Sequence, residues 1–315
     1  MAKPVFYIVG PTATGKSALA ADVARHIAAE IVSADAFQIY RGFDLLTAKP
    51  DRDTLAKAPH HLIGAVSVSE EMNVEKFRGL ASRAIEEIHS RGKTALVVGG
   101  SGLYVKALTH GLSPLPGADP KLRAKLEKLS LDQLREKIVS LDPEAARVID
   151  VKNRRRLVRA LEICLLSGKP VSQQRTRIVA GAVAGGSLPM RTSAVTTHGV
   201  FVFRDREELY ERINRRAEAM FENGVIEEAR ATVKMSSSAF QMIGLREIRQ
   251  LLEGKTSMAH CIAAIQQATR RYAKRQLTWF RRQSNFEPLN LSLLTHNEAR
   301  ISLIAKAVAA AQGND

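Results

Sequence analysis

The 315-residue chain has only two cysteines, Cys164 and Cys261, and a single tryptophan. Both cysteines lie in apolar stretches of helical spacing, where thiols are commonly buried. So few thiols argue against a disulfide framework and against a zinc site. No apolar run approaches the roughly 18 residues that a membrane-spanning helix needs, so no span is expected. Met1-Ala2-Lys3-Pro4 leads straight into a strand-like segment, not into a long apolar signal-type stretch, and the expected compartment is the cytoplasm. No internal repeat is visible. Hydrophobic residues at 45% and charged residues at 25% rule out a chain disordered throughout. The length accommodates two domains, or one core with a large insertion.

What the sequence has in excess is positive charge. Lys and Arg number 47 against 32 Asp and Glu, a formal net charge of +15. A surplus of that size concentrates polyanions near the surface and speeds their capture. Solubility alone is the plainer explanation; a nucleic-acid partner is the preferred one.

Along the chain, Val5–Val9 reads as a short buried strand. It breaks at Gly10-Pro11 and resumes as an Ala/Leu-rich helix over Ser17–Ala29. Glu30–Ser33 reads as a second strand, and Thr94–Val98 as a third. Between them Val74, Phe77, Ala81, Ile85 and Ile88 recur at helical spacing, predicting a helix over Val74–Ser90. Strands alternating with helices imply a parallel sheet covered on both faces, with ligands beyond the carboxyl ends of the strands. Past Pro114, Pro116 and Pro120 the chain turns charged and helical, through KLRAKLEKLS, LDQLREKIVS and NRRRLVRALEICLLSG. Arg177–Ser193 reads as a loop. Val200–Phe203 predicts a strand returning to the sheet, followed by long helices over Glu207–Met235 and Met258–Arg282.

Three constellations carry chemistry. The first, Gly10-Pro11-Thr12-Ala13-Thr14-Gly15-Lys16-Ser17, fits G-x-x-x-x-G-K-[ST] between a strand and a helix. Its backbone N–H groups curl around a phosphate at the positive end of that helix. Lys16 neutralises terminal phosphate oxygens, and the Ser17 hydroxyl suits Mg²⁺. The motif establishes polyphosphate binding but does not distinguish ATP from a prenyl diphosphate. The second is Asp35, just past the second strand at the same sheet edge. It reads either as a carboxylate that binds Mg²⁺ through water or accepts a proton, or as a turn cap. The third is Gly99-Gly100-Ser101-Gly102, where Ser101 reads as a donor to a phosphate oxygen or as a helix cap. Two basic clusters accompany them. Lys152, Arg154, Arg155, Arg156 and Arg159 form one. Arg270, Arg271, Lys274, Arg275, Arg281 and Arg282, around Tyr272, Trp279 and Phe280, form the other. Arginine beside aromatics suits phosphate contact and base stacking, although a solvated helix face is the usual reading of a charge run.

In this order the stretches resemble the tRNA dimethylallyltransferases. The resemblance is carried by GPTATGKS (Gly10–Ser17), SADAFQIYRGFDLLTAKP (Ser33–Pro50) and PHHLI (Pro59–Ile63). It continues with VVGGSGLYVKAL (Val97–Leu108), GLSPLPGADPKLR (Gly111–Arg123), RRLVRALEI (Arg155–Ile163) and TRRYAKRQLTWFR (Thr269–Arg281). These span nearly the whole chain. The resemblance implies an α/β fold: a P-loop NTPase-like parallel sheet core with a helical insertion domain and a helical C-terminal part. Residues 1–118 would begin the core, 119–199 would form a tRNA-contacting insertion, and 200–315 would return to the core and add basic helices. It implies transfer of a dimethylallyl group from dimethylallyl diphosphate to N6 of the adenosine 3′ of a tRNA anticodon, with Mg²⁺. Gly10–Ser17 would bind the diphosphate. Asp35 would be the general base. Asp35, Ala36, Phe37 and Gln38 would lie against a flipped-out base, with Ser101 and Arg216 on the departing diphosphate. Arg123, the run Arg155, Arg156, Leu157, Val158, Arg159, and the stretch Phe240, Gln241, Met242, Ile243, Gly244, Leu245 would touch the anticodon stem-loop. A monomer is expected. This chain has Ala36 where the family usually has Ser, Gly64 where Asp is usual, Ser101 for Thr, Leu245 for Tyr, and Ala217-Glu218 for an aromatic-acidic pair.

Three other readings use the same residues. An isopentenyltransferase acting on free adenine nucleotides shares the phosphate loop and Asp35 but has no use for the basic surface. A small-molecule kinase with an arginine-rich lid would consume ATP without RNA. A non-catalytic RNA-binding module gives no reason for Lys16 and Asp35 to share a sheet edge.

Overall fold

The computed structural model describes residues 5–112, 114–174, 198–230 and 234–312. The loop expected over Arg177–Ser193 lies outside them. Six strands make one sheet: β1 (Val5–Val9), β2 (Glu30–Ser33), β3 (His60–His61), β4 (Ala95–Gly99), β5 (His198–Phe203) and β6 (Glu287–Asn290). Their spatial order is β3-β2-β4-β1-β5-β6. Every pairing is parallel; β1 sits centrally, with Val5–Val9 opposite Ala95–Gly99 on one side and Phe6–Val9 opposite His198–Phe201 on the other.

Side chains alternate across a strand, so each strand feeds two cores. Tyr7 and Val9 join Val32, Val97 and Phe201 on one face. Phe6 and Ile8 join Ile31, Leu96, Val200 and Val202 on the other. Both faces are covered, which is why the strands read as continuous apolar runs. Helix α1 (Lys16–His26) covers the second face with Leu19, Ala20 and Val23. After α2 (Arg52–Ala56), α3 (Val74–Ser90) covers the first face with Phe77, Ala81, Ala84 and Ile88. The Asn73 side chain caps α3 by accepting from Lys76 N–H (2.9 Å). The Phe77 ring stacks on Tyr104 of α4 (Gly102–Thr109) at 3.9 Å.

Contacts divide the chain into two compact units, Met1–Gly111 with Ser193–Asp315, and Leu112–Thr192. The second holds α5 (Pro120–Glu127), α6 (Leu131–Leu141), α7 (Pro143–Val148) and α8 (Arg154–Ser167). Its helix starts are written in sequence. Asp119, Ser130, Asp142 and Asn153 each cap one through their side chains. Its core is built from Leu134, Ile138, Leu157, Leu161 and Ile163.

In the first unit the chain continues as α9 (Arg206–Glu222), α10 (Val225–Arg230), α11 (Leu245–Leu252), α12 (Met258–Phe280) and α13 (His296–Gln312). The single helix expected over Glu207–Met235 is therefore broken. Gly224 takes φ +93°, which ends α9 and redirects the chain. β5 begins at His198, inside the segment expected as insertion. Among the described residues no helix is long and apolar enough to cross a membrane.

Candidate active site

The loop Gly10–Ser17 leaves the carboxyl end of β1 and closes on itself. Thr14 Oγ1 and Lys16 Nζ both donate to the Pro11 carbonyl, at 3.0 and 3.1 Å. Gly15 precedes α1 at φ +90°, a left-handed conformation that a side chain would strain. Three arginines brace the loop from outside. Arg204 Nε donates to Thr14 O (2.9 Å), Arg212 Nε to Ala13 O (2.8 Å) and Arg216 Nη1 to Thr12 Oγ1 (2.9 Å). Arg212 and Arg216 lie one turn apart on α9, so one helix face addresses the loop.

Burial sets the electrostatics. Lys16 is pushed down to about 8 by desolvation, against the pull of Asp35 and reinforced by Arg216. Arg216 is pushed down to about 10 by desolvation, again opposed by Asp35 and reinforced by Arg212. Positive charge is thus concentrated in a partly buried cleft where it is short of counter-charge, the condition that favours a polyanionic ligand.

Asp35 leaves the carboxyl end of β2. Its Oδ1 accepts from Phe37 N–H (2.9 Å) and Gln38 N–H (3.2 Å). The turn-cap reading is therefore correct for one oxygen, and no donor among the described residues bonds the other. The Ser101 hydroxyl does not cap α4. It accepts instead from Ala36 N–H (2.9 Å), while Ser101 N–H donates to Ala34 O (3.2 Å), so the second glycine turn is stitched to the Asp35 turn. Gln38 is committed elsewhere: its amide donates to Ala48 O (2.8 Å) and Thr47 O (3.3 Å).

Two adjoining cavities meet here. The larger, of about 400 Å³, is lined by Thr12, Ala13, Gly15, Lys16 and Ser17 of the phosphate loop together with Asp35, Asp51, Arg212 and Arg216. The smaller, of about 50 Å³, sets apolar side chains, Phe37, Leu46, Ile213, Met220 and Ile265, beside the polar Thr47, Thr269 and Tyr272. Thr12, Asp35, Arg216 and Met220 belong to both, so the carboxylate and the guanidinium stand on the boundary. The wall around Leu46 is held by side chains. Glu228 accepts from Leu45 N–H (3.0 Å) and Leu46 N–H (2.9 Å). The buried Lys49 donates to Tyr40 O, Gly42 O and Asp44 Oδ1.

The other expected contact residues divide by exposure. Phe240 and Gln241 are exposed, and Ile243 lines the smaller cavity. Met242 and Leu245 are buried core residues of the first unit, so a partner touching the stretch Phe240–Leu245 would meet Phe240 and Gln241 and not these two side chains. In the helical unit Arg155 and Arg156 are exposed, but Leu157 and Val158 are core and present no side chain outward. Arg123 and Arg159 both pair with the fully buried Glu162, each at 2.7 Å. Arg159 also donates to the carbonyl of Pro116 (2.6 Å), so both arginines brace their own unit. In the C-terminal cluster Arg270 lies over the Tyr210 ring and Arg275 over Tyr272, while Arg271, Lys274, Arg281 and Arg282 are exposed.

Arg204, Arg212 and Gln276 touch the site's loops and were not singled out from the sequence, while Tyr272, named only as an aromatic of the basic cluster, lines the smaller cavity. Arg212 carries a readable signal, one turn before Arg216. Tyr272 and Gln276 lie in the RRYAKRQLTW stretch at positions i and i+4, the spacing of one helix face.

The family model described as "IPP transferase" matches residues 38–283. The chain belongs to the IPP transferase family. Among its relatives, the tRNA dimethylallyltransferase of Christiangramia forsetii is 41% identical over 287 residues, covering 90% of this chain and 91% of that one. The tRNA dimethylallyltransferase of Chlorobium phaeobacteroides is 40% identical, covering 96% and 97%. A solved full-length tRNA isopentenylpyrophosphate transferase from Bacillus halodurans is 32% identical, with a TM-score of 0.69 over 99% of this chain and 97% of that one. A eukaryotic dimethylallyltransferase, whose structure is described as acting on tRNA, superposes with a TM-score of 0.79 at 25% identity, over 99% of this chain and 80% of that one. The match to the IPP transferase family begins at Gln38, after the phosphate loop and Asp35, and takes in Ser101, Arg204, Arg212, Arg216 and all of α12.

Proposed function

We propose that this IPP transferase is a tRNA dimethylallyltransferase. It moves a dimethylallyl group from dimethylallyl diphosphate to N6 of the adenosine immediately 3′ of the anticodon and releases diphosphate. The observation that carries the reading is the boundary itself, where Asp35 and Arg216 stand between a cationic phosphate-loop chamber and one to which Phe37, Leu46, Ile213, Met220 and Ile265 bring apolar side chains. An allylic diphosphate is an amphiphile of that design. Two of the rival readings fit less well. A kinase has no use for those apolar side chains. For a free-nucleotide enzyme, the named relatives point the other way, since all are named for tRNA.

In the reaction the N6 lone pair forms a bond to C1 of the allyl group as the C1–O bond to the diphosphate breaks. The leaving electron pair goes to the diphosphate oxygen. Phosphate-loop N–H groups, Lys16 and Arg216 stabilise the charge that develops there, in a setting where water does not weaken them. Asp35, held through Oδ1, takes the N6 proton on its other oxygen. Ser17 and Asp35 line the larger cavity together with further hard oxygen donors. That oxygen set fits Mg²⁺, which is usually held by one or two carboxylates plus substrate phosphates. When bound, the ion would offset diphosphate charge. A target base must leave its stack to reach an enclosed site, which is cheapest in a single-stranded loop. Phosphate contacts from exposed arginines such as Arg155 and Arg156 supply the sequence-independent grip on the anticodon stem-loop.

The test is incorporation of radiolabelled dimethylallyl diphosphate into unmodified tRNA, with Mg²⁺ and no ATP, beside a parallel reaction on AMP. Label in tRNA alone is the expected result. Label in AMP alone, or none in either, overturns the reading.

A further inference from the structure

Gln276 is a buried amide with both ends engaged. It projects from α12 one turn beyond Tyr272 and is 6% exposed. Thr12 N–H donates to its Oε1 (2.9 Å), and its Nε2 donates to the carbonyl of Gly100 (2.8 Å). The approach is close enough that a Cβ on Gly100 would come within 2.3 Å of Nε2, so only glycine admits the amide there. Each partner leads to one half of the chemistry. Thr12 Oγ1 accepts from Arg216, on the leaving-group side. Gly100 precedes Ser101, whose hydroxyl accepts from Ala36 N–H beside Asp35, on the base side. The amide therefore joins the loop after β1 to the turn after β4.

We infer that Gln276 is a positioning residue that fixes the Asp35–Ser101 turn against the Thr12–Arg216 side of the phosphate loop, and so sets the distance between the general base and the departing diphosphate. The inference rests on the transfer reaction proposed above. It needs no contact between Gln276 and substrate. Its leverage comes from geometry: reacting groups held in line lose orders of magnitude in rate when displaced by about 1 Å. A carboxamide suits the place because it carries a donor and an acceptor in one plane, matching one N–H and one carbonyl.

Two variants test it. Gln276→Glu keeps an acceptor for Thr12 N–H but sets a carboxylate oxygen against the Gly100 carbonyl; Gln276→Met removes both bonds at similar volume. Three quantities are measured for each: single-turnover transfer to tRNA, equilibrium binding of dimethylallyl diphosphate, and the thermal midpoint. Transfer is expected to fall on the order of 10- to 100-fold. Donor affinity should change by less than about threefold, with the midpoint within about 4 °C of the parent. Relative to the parent, Gln276→Glu should recover transfer as pH falls, because a protonated carboxyl again donates to Gly100. Equal losses of transfer and donor affinity, loss of folding in both variants, or no loss at all overturns the inference. A parent enzyme that labels no tRNA overturns the transfer reading first, before any variant is compared.

Discussion

Donor binding should take up a proton at Lys16 above neutral pH. In the ligand-free site the Lys16 ammonium titrates at about 8, because burial disfavours its charge. A bound diphosphate places negative charge against it and raises that pKa. The sign follows from which state holds more protons. Well below pH 8 the free enzyme already carries most of the ammonium, and binding takes up little. Above it the free enzyme has lost the proton, and binding must recover it. With a pKa of about 8, roughly nine-tenths of free enzyme is protonated at pH 7 and about one-tenth at pH 9. The apparent Kd for dimethylallyl diphosphate should therefore rise about tenfold between those pH values, ~1.4 kcal/mol. The donor's phosphates, whose last pKa is near 6, do not titrate in that range. Titration calorimetry at pH 7, 8 and 9, each in two buffers of different ionisation enthalpy, reads the proton uptake directly. It should climb from about 0.1 to about 0.9 proton per donor bound. Lys16→Arg, whose guanidinium stays charged throughout, should flatten the profile. A Kd that is constant from pH 7 to pH 9 with no proton uptake would refute the assignment of Lys16 as the titrating phosphate ligand.

Asp35→Asn retains an oxygen for Phe37 and Gln38 N–H but cannot accept the N6 proton. Transfer should fall by about 10²- to 10⁴-fold while donor binding stays level or tightens, since an anion near the diphosphate is removed; parallel losses in the two assays would deny it the role of base. Replacing Arg155 and Arg156 by Ser should weaken tRNA binding and reduce the slope of log K against log salt by about 0.7 to 0.9 per lost phosphate contact. An unchanged slope in filter binding removes the pair from the interface. Replacing Arg123 and Arg159 together by Leu strands the Glu162 carboxylate, which they hold below its ordinary range against the cost of burial. The variant should lose about 3–5 kcal/mol in urea unfolding, whereas full stability with weak tRNA binding would return both arginines to an RNA role.

What the sequence made legible follows from how local each signal is. β1, β2 and α3 were bounded correctly because a short continuous apolar run, or a helical apolar stripe with an Asn cap, is complete within each segment. β3 has two residues and β6 reads Glu287-Pro288-Leu289-Asn290, so neither contains a period to detect. Pro288 is tolerated because β6 lies at the sheet edge. Gly224 marked the break between α9 and α10 and was overrun by the charged pattern on either side. In the site, the phosphate loop and Asp35 were readable because each sits at a strand end. Arg216 was reached only through the family resemblance, being separated from Thr12 by 204 positions. The basic run of α8 shows the limit of reading charge from sequence. Arg155 and Arg156 face outward, Arg159 turns inward to Glu162, and only the helix phase decides between them.

The phosphate loop also shows why a shared motif does not fix the chemistry. Its Lys16, Gly15 and Ser17 have the identities that any polyphosphate site of this kind requires. The difference lies in what surrounds them. Arg204, Arg212 and Arg216 spend hydrogen bonds on loop carbonyls and the Thr12 hydroxyl, and of the three only Arg204 is paired to a carboxylate, Glu208, among the described residues. Two guanidinium groups and one ammonium are thus left facing the site with Asp35 as the acidic group acting on both Lys16 and Arg216. Such an arrangement disfavours its own charges until a polyanion arrives, so in the proposed reaction its binding energy would be directed at the diphosphate. Asp35 cannot neutralise the cations fully, because one of its oxygens is tied to the turn that sets its position. In the proposed reaction the same tether that limits it as a counter-ion would hold it in place as a base, beside the apolar side chains Phe37, Leu46 and Ile213 of the smaller chamber.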